Sequence, residues 1–228
     1  MYNKKFEYTV VEQKFIYSFD PLFIYSQVKP DDNECGAVTM KSTLDYMINN
    51  GSKKLLMPPL EIPCNTAFDL EMLSSISNFT DPFKINEVKV IDAYDPLLTF
   101  ITNIKQNIYR DSPVVIGMYL PDSFNRNHIK SDGVWSPING EPKPKPEDGH
   151  AMSVIGYDDN KNGGSFRIVN SWGDDFGDNG YIWISYNDFY SFTDEAFVFK
   201  LLDNIRSTEK TLIKTTNFIK STFDDNST

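Results

Sequence analysis

Two short segments hold the residue types that could do chemistry together. Asp148-Gly149-His150-Ala151 places a histidine twenty residues before the asparagine that opens Asn170-Ser171-Trp172-Gly173-Asp174-Asp175-Phe176-Gly177-Asp178-Asn179-Gly180-Tyr181. Between them, Asp158-Asp159-Asn160-Lys161-Asn162-Gly163-Gly164 is turn-forming material. A hairpin centred near Asn160 sets position 150 opposite position 170, and directly opposed residues on antiparallel strands stand ~4.5–5.5 Å apart. The Asn170 carbonyl oxygen would then accept from one ring N–H of His150. That fixes the tautomer and leaves the other nitrogen for acid/base work. Such a pair serves a cysteine nucleophile, and Trp172 stands close enough in sequence to shield it from water. A lone histidine is more often a solvated surface residue; here the spacing and the adjacent tryptophan favour the functional reading. His128 has no evident partner and reads as solvated. The glycines at 173, 177 and 180 suit turns and close packing.

The elements that must position this pair are legible from periodicity and punctuation. Strand patterns cover His150–Tyr157, Ser165–Ser171 and Gly180–Tyr186, with a further one near Ala196–Leu201. Pro113–Leu120 is an apolar run of strand length, and Phe83–Val90 alternates. Asp95-Pro96 caps an amphipathic helix with Leu97, Ile101, Ile104 and Ile108 on one stripe. Residues 121–148 form a long connection, and one of that length inside a compact domain is often functional. Asp20-Pro21 starts a short helix over Leu22–Gln27. Apolar residues from Cys35 to Asn50 recur at helical spacing and stop at Gly51. Pro58, Pro59 and Pro63 mark an irregular loop, and Ala67–Ser77 reads as another helix. Helices dominate the first 80 residues and strands the remainder, so the expected class is α+β. The expected organisation is one domain over 1–203, with a partial helical lobe over 1–82 and a β lobe over 83–203. A polar tail over 204–228 follows.

Composition narrows the function. The 228 residues carry 40% hydrophobic and 14% aromatic residues, enough for an ordered core, and a net charge of −10. That charge disfavours duplex nucleic acid, which needs basic clusters. The only cysteines are Cys35 and Cys64, too few for a disulfide scaffold. There is no metal-ligand cluster and no phosphate-binding glycine loop, so no cofactor or metal is expected. No leader or membrane span is evident in the chain as written, which reads as cytoplasmic and not membrane-bound.

Gly149-His150-Ala151 followed by the Asn170–Tyr181 run resembles the C-terminal half of a papain-family cysteine peptidase. In that family the histidine precedes a β-hairpin whose return strand ends in Asn-Ser-Trp-Gly, and a Gly-x-x-Gly-Tyr segment follows. Phe176 stands where the family commonly has Trp. Pro113–Met118 resembles the strand entering the family's right-hand lobe, and the insert with Asp122-Ser123-Phe124 and Gly133-Val134-Trp135 resembles bacterial members. The resemblance implies a papain-like fold with an incomplete helical left lobe and an antiparallel β right lobe. It implies a peptide or protein substrate, His150 as general acid/base, and Asn170 as its orienter.

The family's Gln-Gly-x-Cys-Gly-Ser-Cys-Trp segment is missing. That segment puts the nucleophile at a helix N-terminus, where the thiolate is favoured. Cys35 starts a predicted helix and Gln27 lies upstream. Yet Cys35 precedes His150 by 115 residues, against about 130–150 in papain-like chains. A second register fits better. Asp20–Gln27 resembles the Ser-Pro-x-Phe-Ile-Tyr-Asn-Gln segment that follows the catalytic helix, and Cys35-Gly36 resembles the start of a Cys-Asn-Gly-Gly turn. Cys35 is then structural, and Gly36 and Ala37 border the substrate cleft with Gly149 and Ala151. Three readings stay open: a peptidase domain that is truncated or lacks its nucleophile, a peptide-binding pseudoenzyme, and an active peptidase using Cys35. The first leaves room for a second chain that supplies the missing helix.

Overall fold

A computed structural model of the chain describes residues 21–29, 36–52, 85–142, 144–145 and 148–201. Those up to 87, with 200–201, fall in one compact unit; residues 88–199 form another. Cys35, Cys64, the 67–77 helix and the 204–228 tail lie outside the described residues.

Among the described residues, the first unit contains two short helices. α1 spans Pro21–Val28, beginning on the proline as expected. α2 spans Met40–Asn49, not 35–50. Its start is set by Thr39, whose side chain accepts from the Ser42 backbone N–H and so satisfies one of the orphan donors of the first turn. Its end is set by Gly51 at φ +79°, whose N–H reaches back to the Met47 carbonyl. Phe23 and Tyr46 meet edge to face at 6.3 Å and tie the two helices.

The strands form a mixed sheet. β1 is Ile85–Ile91, β2 Val114–Tyr119, β3 Val134–Trp135, β4 Gly149–Asp158, β5 Ser165–Val169, β6 Tyr181–Ser185 and β7 Thr193–Leu201, in the order β1-β7-β2-β4-β5-β6-β3. The pairs β7–β2, β2–β4, β4–β5 and β5–β6 are antiparallel. The two-residue β3 runs parallel to β6, a departure from a purely antiparallel lobe.

Period-two alternation explains which face is buried. On β2, Val114, Ile116 and Met118 point inward; on β4 their partners are Val154, Met152 and His150. α3, Leu97–Tyr109, lays Phe100, Ile101, Ile104 and Ile108 into the core with this row. Each such side chain contributes about 1.5–3 kcal/mol by leaving water. Its N-cap is Pro96 and not Asp95, and no side chain bonds the first turn. A short α4, Tyr186–Phe192, carries the buried Phe189. Its aromatic-rich sequence reads equally as strand, which is why periodicity alone does not find it.

The hairpin turn is more compact than a simple loop. A 3₁₀ turn over Lys161–Gly163 ends at Gly164, where a Cβ would lie 2.5 Å from the Tyr186 ring. Only glycine allows that approach. The β4–β5 ladder also carries an irregularity at Ile155, between the pairs Val154↔Ile168 and Gly156↔Arg167. Among the described residues, no helix is long and apolar enough to cross a membrane.

Candidate active site

His150 is the outermost residue of the core-facing row on β4, half-buried at the rim of the sheet and paired with the buried Met118. Its Nε2 lies 2.8 Å from Asn170 Oδ1. The two are not directly opposite, as expected from the sequence. Extending the ladder from Ser153↔Val169 sets position 172 opposite 150. The hairpin is closed by the 3₁₀ turn and contains the Ile155 irregularity, so its register is two residues away from the symmetrical one. A two-residue shift keeps every side chain on its face. Asn170 therefore still projects toward His150, as a diagonal neighbour.

The geometry assigns the protons. Asn170 Oδ1 also accepts from the Ser171 backbone N–H at 2.7 Å. A backbone amide can only donate, so the oxygen of the carboxamide must be the atom at this corner. His150 Nε2 then has to be the donor, and in the neutral ring Nδ1 carries the lone pair. Asn170 is 8% exposed, which keeps water from competing for Oδ1. Its Nδ2 is buried without a hydrogen-bond partner, so the cost of holding this amide in place falls on the local fold.

Trp172 covers the imidazole from one side. The rings are 4.8 Å apart and inclined by 36°, with the indole itself 40% exposed. Its ring also packs on the buried Phe176 at 5.0 Å and Phe124 at 5.7 Å, both edge-on. The run from 170 to 181 is folded tightly to place these rings. Asn170 N–H donates to the Gly180 carbonyl, and Gly180 N–H to the Phe176 carbonyl. At Gly177 φ is +63°, and a Cβ would lie 2.3 Å from the Tyr181 carbonyl oxygen.

Other expected residues fall as follows. Gly149 and Ala151 flank His150 and are exposed on β4. Gly36 and Ala37 belong to the first unit, where the Gly36 carbonyl accepts from the Tyr25 hydroxyl at 2.9 Å. His128 is exposed but not unpartnered, since its Nδ1 lies 3.0 Å from Asn125 Oδ1. The 121–148 connection is more ordered than a plain loop. It contains a 3₁₀ turn at Arg126–His128, the strand β3, and the buried Phe124 and Trp135. Its contacts to Trp172 are not legible in the sequence, because no local pattern relates positions nearly fifty residues apart. The aromatic Phe124 and Trp135 in an otherwise polar stretch were the available signal.

Two pockets in this unit lie away from His150. One of 470 Å³ is lined by Leu98, Ile101, Tyr186 and Asp188 among others, and one of 430 Å³ by Lys105, Tyr109, Arg110 and Tyr157 among others. Neither includes His150, Asn170 or Trp172.

Comparison with known proteins places this arrangement in a familiar setting. A family model described as papain family cysteine protease matches residues 27–198. A cathepsin B-like cysteine proteinase 3 from Ostertagia ostertagi is 33% identical over 78 residues, 34% of this chain and 41% of the relative. The matched stretch thus spans less than half of that relative's length. Among solved structures, xylellain, a cysteine protease from Xylella fastidiosa, is similar with a TM-score of 0.60 at 22% identity, covering 81% of this chain and 70% of that one. The bromelain protease from Ananas comosus gives a TM-score of 0.53 at 14% identity, covering 81% and 79%. At these identities the structural likeness speaks for the fold: a mixed α+β arrangement of papain-like type.

Proposed function

The chain belongs to the papain family of cysteine proteases, and from that premise we propose that it presents the histidine–asparagine half of a cysteine peptidase site without supplying its own nucleophile. The observation that carries this reading is the corner at Asn170 Oδ1, where one oxygen accepts from both Ser171 N–H and His150 Nε2–H. It leaves His150 Nδ1 as a base of fixed direction. In the chemistry of the family, that nitrogen takes the proton of a cysteine thiol as the sulfur attacks a peptide carbonyl. It then returns the proton to the departing amine, and water completes hydrolysis of the acyl-enzyme. Asn170 holds the Nε2–H bond through both steps, and Trp172 limits the access of water to it.

The reading that Cys35 is structural is supported by α2. A helix N-terminus favours a thiolate only within its first turn. Among the described residues, the first helix to follow Cys35 in sequence begins at Met40, five positions on, and is capped by Thr39. The short separation from Cys35 to His150 points the same way. Peptides are the ligand class supported by the site's surroundings. The exposed Gly149 and Ala151 beside His150 carry little or no side chain and leave room for an extended chain. A segment bearing the cysteine helix, whether of this polypeptide or another, is what this reading calls for.

The test is hydrolysis of a panel of fluorogenic peptides by the full chain, beside His150→Ala and Cys35→Ala. The expected result is equal, background-level turnover in all three. Turnover by the parent chain that disappears in Cys35→Ala would overturn the assignment and establish an active peptidase using that residue.

A further inference from the structure

We propose that the connection between β2 and β4 is a brace that holds Trp172 over His150, with Arg126 and Glu141 as positioning residues. The proposal rests on the reading of His150 and Asn170 as an acid/base pair.

The brace begins with its own anchor. The Glu141 carboxylate accepts from the Ser123 hydroxyl at 2.7 Å, from the Ser123 backbone N–H at 3.2 Å and from the Ile138 backbone N–H at 2.9 Å. Ser123 is 1% exposed, and its carbonyl accepts from the Trp135 indole N–H at 3.0 Å. One carboxylate and one indole thus fix both sides of the residue that precedes Phe124. Donors shared with an ionised carboxylate give the stronger class of hydrogen bond. Glu141 therefore sets where Phe124 stands.

From that anchor two arms reach the residues after Asn170. Phe124 packs on Trp135 at 5.0 Å, on Phe176 at 5.7 Å and on Trp172 at 5.7 Å. Arg126 forms an ion pair with Asp175 and donates to the Trp172 carbonyl at 3.3 Å. Phe124 holds the side chain of Trp172 and Arg126 holds its backbone. Trp172 has an exposed outer face, and no strand pairing fixes it. The brace is what keeps the indole from swinging away from the imidazole. Arg126 and Glu141 touch neither His150 nor Asn170. They act through Trp172.

Exchange of the His150 Nε2 proton with water reads this directly and needs no turnover. In the full chain labelled with ¹⁵N-histidine, the parent protein is expected to show His150 as the Nε2–H tautomer with a slowly exchanging proton. Trp172→Ala speeds that exchange strongly and calibrates the shield. Arg126→Ala speeds it about two- to fivefold, the scale of an exposed ion pair. Glu141→Ala speeds it on the order of tenfold, since both donors of the buried Ser123 and the exposed Ile138 N–H lose their acceptor. Glu141→Gln falls between and guards against a misfolded alanine variant, with backbone amide dispersion as the folding control. The charge-swapped pair Arg126→Asp with Asp175→Arg recovers part of the protection. Unchanged exchange in Arg126→Ala and Glu141→Gln, with rapid exchange in Trp172→Ala, would overturn the brace and leave the pair intact. Rapid exchange or the Nδ1–H tautomer in the parent chain would instead strike the reading of the pair itself.

Discussion

At the start of β4, His150 has one ring nitrogen bound to Asn170 and, among the described residues, no hydrogen bond at the other; beyond the far end of the same strand, Asp159 is engaged by Lys105 and Tyr186. Asp159 accepts from Lys105 Nζ at 2.6 and 2.9 Å and from the Tyr186 hydroxyl at 2.8 Å. The same ammonium lies 4.8 Å over the Tyr157 ring. The hydrogen bonds from Lys105 hold the Asp159 carboxyl below the usual carboxylate range, with Tyr186 adding to the effect against the cost of burial. Burial, then the bond to Asp159, pushes the Tyr186 phenol well above its ordinary range. Each end also has its aromatic cluster. At the far end Phe166 and Phe189 are fully buried and 4.7 Å apart; at the near end Trp172 leaves one face in water. One hairpin therefore has a satisfied end, suited to stability, and an end with a spare lone pair, suited to chemistry. The difference lies in what meets the strand ends and not in the strands.

The largest test of this contrast is Phe176→Ala. Removing a fully buried ring from beneath Trp172 is expected to cost about 3–5 kcal/mol in denaturant unfolding and to raise His150 Nε2–H exchange in whatever folds. A cost under about 1 kcal/mol would mean the near-end cluster does not carry the site. Next, Asn170→Asp replaces a neutral acceptor with an anion. The hydrogen bond from His150 Nε2–H becomes charge-assisted and about twice as strong, so exchange of that proton with water should slow. Proton exchange in the ¹⁵N-histidine-labelled chain measures it. An unchanged rate would show that residue 170 does not hold the imidazole.

The smallest effect belongs to the satisfied end. Lys105→Met should cost only a few tenths to about 1 kcal/mol, because Asp159 is largely exposed. Its pH dependence has a definite sign. A carboxyl with a lowered folded-state pKa contributes stability above the ordinary carboxylate range and loses it as pH falls through the lowered value. Lys105→Met flattens that acid limb of unfolding curves and leaves His150 exchange alone. A change at His150 would mean the two ends are coupled.

Much of this was legible in the residues. Strands repeat with period two and α3 with period 3.6, so β4, β5, β6 and the Ile101–Ile108 stripe follow from local pattern. The pairing of His150 with Asn170 also followed, although by a direct register that the structure replaces with a diagonal one. Face parity survived the two-residue error, and the contact survived with it. What local pattern could not show is what distant segments add. Glu141, Ser123 and Arg126 look like ordinary polar loop residues until the fold sets them beside each other. α2 starts later than its helical spacing implies for a related reason: the spacing runs through 35–39, but the Thr39 side chain gives the backbone a better place to begin.

The parallel strand β3 has a consequence outside the site. It ends the sheet with two residues, Val134 and Trp135, both buried. A sheet margin that short offers another copy of the chain almost no free backbone to pair with. On that side, growth by strand addition into fibrils has no template.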